Sequence, residues 1–217
     1  MGKQRNNRGS HQRQKVAQEA ARIMREEGIR DYLLAKRKAA NRLGIVDRGA
    51  LPGNEEIVEA LAEQQRLFGG PAYADRLHAL RVAAQQAMIL FEELSPRLVG
   101  PVLTGAVTNQ SAVNLHVFSD TPELVAYRLM EKKIPYDIDD VRVRYAQDDY
   151  KLMPVYSFAA GNISVEATVF SITGLRHPPA CPIDGKPMRR LQLRDVETLV
   201  ERHHTQAEIQ SLSESSL

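Results

Sequence analysis

The chain has 217 residues, 43% of them apolar, with a net charge of +2, enough apolar matter to bury a core in one large domain or two small ones. Its one cysteine, Cys181, excludes an intramolecular disulfide framework, and no apolar run reaches the roughly 20 residues that a membrane-spanning helix needs. The opening MGKQRNNRGSHQRQK is basic but leads into an amphipathic segment rather than an apolar one, so a cytoplasmic location without a membrane partner is expected.

Charge is unevenly placed. Residues 1–44 contain 12 Lys and Arg against 4 Asp and Glu, a net of +8, which leaves −6 on the remainder. A basic end of this kind meets nucleic acid or an acidic surface, or is a solvated leader followed by helices with ordinary charged faces. Only Tyr32 is available there to stack on a base. Residues 1–14 are expected as a disordered basic leader, and residues 15–70 as a helical region. Val16, Ala20, Ile23 and Met24 recur at helical spacing up to Gly28, a helix stop. Asp31 then caps a second helix, with Leu34 and Ala35 on one side and Lys36, Arg37 and Lys38 beyond, ending near Gly44. Two short helices around a tight break also fit a helix-turn-helix, although helical hairpins are far commoner. After DRGALPGN, Asn54 with Glu55 and Glu56 starts another helix, its carboxylates where the helix dipole favours them. ADRLHALRVAAQQAMILFEEL reads as the longest helix, stopped by Pro96.

From Arg97 onward the period changes to that of strands. SAVNLHVF, VRVRY, MPVYSFAA and NISVEATVFSI alternate or are β-branched, and Thr121, Pro122 and Glu123 open a helix between the first two. Gly161 and Asn162 make a hairpin turn between the last pair. LQLRDVETLVERH closes as a helix, and the tail 211–217 is expected to be disordered. The expected fold class is α+β: a helical N-terminal half, then a small mixed β-sheet with flanking helices over residues 71–210.

The stretch GPVLTGAVTNQSAVNLHVF, Gly100 to Phe118, resembles the signature of the DNA polymerase β-type nucleotidyltransferase superfamily. In that family a Gly-Ser turn ends a first strand, and a second strand carries two Asp residues one position apart. Gly100 and Gly105 fall on the family's glycines, Ser111 on the serine before the first Asp, and Leu115 and Val117 on the strand's apolar positions. The resemblance covers residues from about 75 to 175 and implies a nucleotidyltransferase-like α/β domain. The whole chain, AKRKAANRLG and PIDGKPMRR included, also looks like a group of bacterial nucleotidyltransferase-like proteins.

The departures from the family decide the expected mechanism. The turn serine that contacts nucleotide phosphate is replaced by Pro101, which has neither a hydroxyl nor an N–H. The two Asp places are Ala112 and Asn114. Residues two apart on a strand share a face, and this lets the family clamp divalent metals there. Alanine offers no ligand and Asn114 one uncharged oxygen, so a two-metal site is severely weakened, which leaves open magnesium or manganese arriving with a nucleotide. His116 shares the face of Asn114, either as a metal ligand or proton carrier or as an inward histidine satisfied by a hydrogen bond. Glu166 is the natural candidate for the family's third carboxylate, the base for the attacking hydroxyl; it equally fits a solvent-facing strand position alternating with apolar neighbours.

Gly100, Thr104, Gly105, Ser111 and Asn114 are the expected nucleotide-binding residues, joined by Lys186, Arg189 and Arg190 in a basic loop that can contact phosphate. Asp120 precedes a helix start, and Asp139 and Asp140 are read as a turn. Cys181 shares a loop with His177, and His203 and His204 point apart on a helix. No phosphate-loop, His-Glu-x-x-His or Cys-x-x-Cys motif is present. The expectation is a nucleotidyltransferase-fold protein without conventional two-metal transfer, binding a nucleotide or nucleic acid in a regulatory role. Two other readings compete: an active transferase with a rearranged site around Asn114, His116 and Glu166, and an interaction module acting through the basic N-terminal helices.

Overall fold

Helical spacing in the first third of the chain produces three helices with one shared core. The computed structural model describes residues 2–29, 31–45, 51–108, 110–146 and 148–202, with side chains from Ser10 onward. Helix α1 (Gly2–Glu27) stops where Gly28 takes a φ of 67°. It begins well before the apolar spacing does, so the backbone expected as a disordered leader is helical from Gly2; Lys, Gln and Arg favour that conformation without any apolar face to demand it. Helix α2 (Tyr32–Arg42) is capped by Asp31, whose carboxylate accepts from the Leu33 and Leu34 amides at 2.7 and 3.1 Å. Helix α3 (Asn54–Phe68) starts after Gly53, whose N–H donates to the Glu56 carboxylate at 2.6 Å.

Val16, Ala20, Ile23 and Met24 of α1 are buried with Ala35 and Ala39 of α2 and Ile57, Ala60 and Leu61 of α3. The alanines let the helix axes approach closely, while Leu33 and Leu34 of α2 and Leu67 and Phe68 of α3 stay exposed. The surface of this unit is laced by ion pairs. Glu19 meets Arg22 at 2.7 Å and Arg42 at 3.3 Å, while Glu27 meets Lys38 at 2.6 Å and Arg42 at 2.7 Å. Arg42 thereby ties α2 to two turns of α1.

The chain divides into two compact units: residues up to Ala74 with Ala106–Gln110, and Asp75–Gly105 with the chain from Ser111 onward. The division falls within helix α4 (Gly70–Leu90), a few residues beyond the expected 70/71 boundary. At 21 residues α4 is shorter than the 26 of α1, and so is not the longest helix; its helical path ends at Leu90, before a 3-10 turn at Glu92–Leu94. Segment Ala106–Gln110 belongs to the first unit because Ala106 enters the helical core and the Val107 carbonyl accepts from the buried Gln65 amide.

The second unit is a five-stranded mixed sheet of order β1-β2-β5-β4-β3. Its elements are β1 (Arg97–Val99), α5 (Pro101–Thr104), β2 (Val113–Phe118), α6 (Glu123–Glu131), β3 (Tyr136–Arg144), β4 (Tyr150–Ala160) and β5 (Ile163–Phe170). A 3-10 turn (Ile172–Leu175) and helix α7 over 193–202 complete it among the described residues. The molecule is therefore α+β, helical first and then a mixed sheet with helices. Gly161, at φ 63°, and Asn162 form the two-residue turn between β4 and β5. Asp139 and Asp140 lie inside β3, not in a turn: antiparallel pairing with β4 continues through them to Arg144. Pro154 is tolerated in β4 because pairing with β5 begins only at Val155, so nothing from that side needs its missing N–H.

Strand alternation gives the sheet two unlike faces. One carries Leu98, Val113, Leu115, Val117, Val165, Ala167, Val169, Tyr156 and Phe158, all buried, with Phe91 edge-on to Phe158 at 5.8 Å. A fully buried Val or Leu contributes about 1.5–3 kcal/mol, so this face holds the sheet together. The other face is polar over much of its width.

Candidate functional site

The polar face is assembled by register. β1 runs antiparallel to β2 and sets Val99 beside Asn114. β2 and β5 are parallel and set Asn114 beside Glu166; β4 then sets Ser157 beside Glu166, and β3 sets Asp137 beside Ser157. With neighbouring strands about 4.8 Å apart, Asn114, Glu166, Ser157 and Asp137 form one lateral row. Asn114 and Ser157 are half-buried, Glu166 and Asp137 exposed. The next row along the strands is Arg97, His116, Thr168, Val155 and Asp139.

Gly100 is fitted to this row. Its φ of 75° and ψ of −151° belong to a region open essentially to glycine alone, and a Cβ there would stand 2.9 Å from Asn114 Nδ2. The Gly100–Gly105 turn is thus a backbone that Asn114 leans against. Gly105, at φ 83°, closes the short helix α5 by donating its N–H to the Pro101 carbonyl at 2.8 Å. Thr104 is exposed and turns its hydroxyl back to the Pro101 carbonyl at 3.2 Å. Ser111 is half-buried just before β2.

Arg190 closes the far end of the same face. Its Nε donates to His116 Nδ1 at 3.2 Å and its Nη1 to the Gly174 carbonyl at 2.8 Å. The guanidinium carbon stands 5.0 Å from the Phe118 ring centre and 5.6 Å from that of Phe170, and the His116 ring lies 4.4 Å from Phe170. Gly174 fits beneath because a Cβ there would come within 3.1 Å of Phe170 Cβ. Nη2 of Arg190 is buried and has no hydrogen-bond partner among the described residues. Burial pulls this guanidinium down to about 10, Tyr145 opposing and Arg97 reinforcing the shift.

His116 is 6% exposed and held down to about 3 by burial first and by the charge of Arg190 second. At neutral pH it is therefore an uncharged acceptor at Nδ1, which requires the proton on Nε2. That fits a residue that orients Arg190 better than one that carries protons. The basic loop separates: Lys186 pairs with Asp184 at 3.8 Å within its own turn, Arg189 is exposed, and only Arg190 reaches the sheet face. Cys181 is a half-buried free thiol in that loop. The Asp120 carboxylate accepts from the Ile172 amide at 3.1 Å, tying the end of β2 to the turn after β5. His203 and His204 and the tail 211–217 lie outside the described residues.

Arg97, Ser157 and Asp137 join the site through strand register, and Tyr145 through the turn after β3, where its N–H donates to the Asp149 carbonyl at 2.8 Å; no local pattern announces either. The donor set does not suit a pair of divalent ions. Ala112 precedes β2 with no ligand atom, Asn114 adds one neutral oxygen and Glu166 one carboxylate, and Asp137 of the same row lies two strands beyond Glu166. Among the described residues no three His, Cys, Asp or Glu side chains group as a metal site, and no helix there is long and apolar enough to cross a membrane. Comparison of the chain with protein-family models, curated proteins and solved structures finds no match.

Proposed function

We propose that this chain binds a nucleotide on the open face of a nucleotidyltransferase-like sheet without transferring it, in a regulatory role. The observation that carries the reading is the parallel register of Asn114 with Glu166. It supports the strand relationship that the Gly100–Phe118 motif implies, and it leaves one carboxylate where metal-dependent transfer needs more. Arg190, a cation with neutral partners on the same face, supports an anionic ligand. The reading through the basic N-terminal helices is weakened because Arg22, Lys38 and Arg42 are spent on Glu19, Glu26 and Glu27.

The test is a thermal-shift panel of ATP, GTP, CTP and UTP, each with EDTA and with magnesium or manganese. A ligand at about 100 times its Kd adds about 2.7 kcal/mol, several degrees for a protein of this size. The expected result is a shift with at least one nucleotide that is equal in EDTA and metal, and that survives Glu166→Gln. No shift with any nucleotide overturns the reading; turnover that needs metal and disappears in Glu166→Gln replaces it with the rearranged transferase.

A further inference from the structure

Two arginines flank His116 without an acidic partner. Arg97 lies beside it in the β1–β2 register, and its Nη1 is spent on the carbonyls of Ser95 and Pro96 at 2.9 and 2.8 Å. Arg190 reaches it from the loop after β5, and its acceptors are an uncharged imidazole and one carbonyl. Neither takes part in an ion pair with a carboxylate among the described residues, and the attractive ionisable neighbour of Arg190 is Tyr145, whose hydroxyl burial keeps protonated. A buried donor left unmade costs about 1–3 kcal/mol, more when charged, and groups left so in folded proteins call for an explanation.

We propose that Arg190, with Arg97 beside it, is a metal-independent subsite for a di- or triphosphate group at the closed end of the polar sheet face, a proposal that rests on the nucleotide-binding reading above. The planar fork of a guanidinium matches phosphate oxygens, and its charge stays on at every physiological pH. The rings of Phe118 and Phe170 and the imidazole of His116 fix the guanidinium in place; Nη2 is the donor they leave over. Two neighbouring cations suit a group with more than one negative charge, which is what a diphosphate offers and a carboxylate does not. Nη2 is shielded, so entry of the anion entails a shift of the half-buried Arg190 side chain, whose hydrogen bonds among the described residues are two, both to neutral groups. The subsite thus takes over with protein cations the charge neutralisation that Ala112 and Asn114 no longer allow a metal to perform.

The experiment is isothermal titration calorimetry of the full chain in EDTA, first with pyrophosphate alone and then with the nucleoside triphosphates. Pyrophosphate is expected to bind the unaltered chain, to lose at least tenfold in affinity in Arg190→Met and to lose less in Arg97→Met. Equal binding by Arg190→Met, or no binding by the unaltered chain, overturns the subsite and makes Arg190 a structural residue whose Nη2 is served by water. If Arg190→Met does not fold, the Nε–H resonance of Arg190 in the unaltered chain decides: it moves on adding pyrophosphate if the subsite exists, and stays if it does not. Nucleotides that bind no better than pyrophosphate count against the nucleotide reading and leave the subsite standing. Nucleotides that bind equally well to Arg190→Met remove the subsite and leave the reading standing.

Discussion

The Glu19–Glu27 network of the helical unit and Arg190 of the sheet unit treat charge in opposite ways. In the first, Glu19 and Glu27 each meet two cations, and Arg42 joins both carboxylates. In the second, Arg190 is half-buried over Phe118 and Phe170, and its hydrogen-bond partners among the described residues are an imidazole and a carbonyl. Paired charges on a helix surface serve the fold in small amounts. A desolvated cation without an anion costs the fold, and it persists because the surrounding packing holds it. The difference separates charges that serve the fold from a charge that the fold holds at a cost.

Substituting one glycine in each unit exposes that contrast most strongly. Gly100 and Gly28 both have positive φ, 75° and 67°. A Cβ at Gly28 meets nothing within 4 Å, whereas one at Gly100 strikes the Asn114 amide. Gly100→Ala is expected to cost about 3 kcal/mol, strain and displacement of Asn114 together, and to lower the melting temperature by roughly 6–12 °C. Gly28→Ala should cost about 1 kcal/mol. Calorimetric melts of both variants check this; equal losses would mean that Asn114 yields freely and that the Gly100 turn is not fitted to the site.

His116 gives the next largest effect. Its folded value of about 3 lies below the ordinary 6.5, so the unfolded chain binds the extra proton and stability falls as pH drops from about 6.5 toward 3. Between pH 7 and pH 5 the loss is about 2 kcal/mol, at 1.36 kcal/mol for each pH unit below the unfolded value. Arg190 and Phe170 touch the ring directly, and Arg97 and Thr168 are its register neighbours on the adjoining strands. His116→Gln should flatten this slope, read by amide exchange in β2 rather than by the whole-chain melt. An unchanged slope would place the imidazole in water, and Arg190 with it.

Much of the fold could be read from local pattern. Asp31, Gly28 and the Gly161–Asn162 turn act on the residues next to them, and β2, β4 and β5 follow from alternation. Asp139 and Asp140 misled because acidic pairs usually break strands, while pairing with β4 carried β3 through them. The site was half visible. The family resemblance points to Asn114 in Gly100–Phe118 and to Glu166 on a later strand, and strand register sets the two side by side. Arg190 stood among three candidate loop cations, and nothing local distinguished it from Lys186, since its selection depends on His116, Phe118 and Phe170 from two distant strands. Ala106–Gln110 was read as part of the sheet domain because it is contiguous with it; tertiary contact with Gln65 assigns it to the helices.

The smallest effect tests the other half of the contrast. The Glu19 carboxyl is 16% exposed and held below the usual carboxylate range by its hydrogen bond to Arg22, with Arg42 adding to the shift and burial opposing it. A depressed carboxyl stabilises the fold above its unfolded value of about 4.5 and loses that contribution as pH falls through its folded value. Glu19→Gln is therefore expected to cost about 0.5–1 kcal/mol at pH 7. At 1 M salt, where the Debye length shrinks to about 3 Å, most of that cost should vanish. The His116 slope should hardly change in the same salt, because its main cause is burial and burial is not screened. Denaturant melts of Glu19→Gln and amide exchange in β2 of His116→Gln, each at low and high salt, make the comparison. If the Glu19 cost survived 1 M salt, the network would be holding α1 and α2 by packing rather than charge. The sheet would then no longer stand out by leaving a cation unpaired, because charge pairing would have been contributing little in the helices as well.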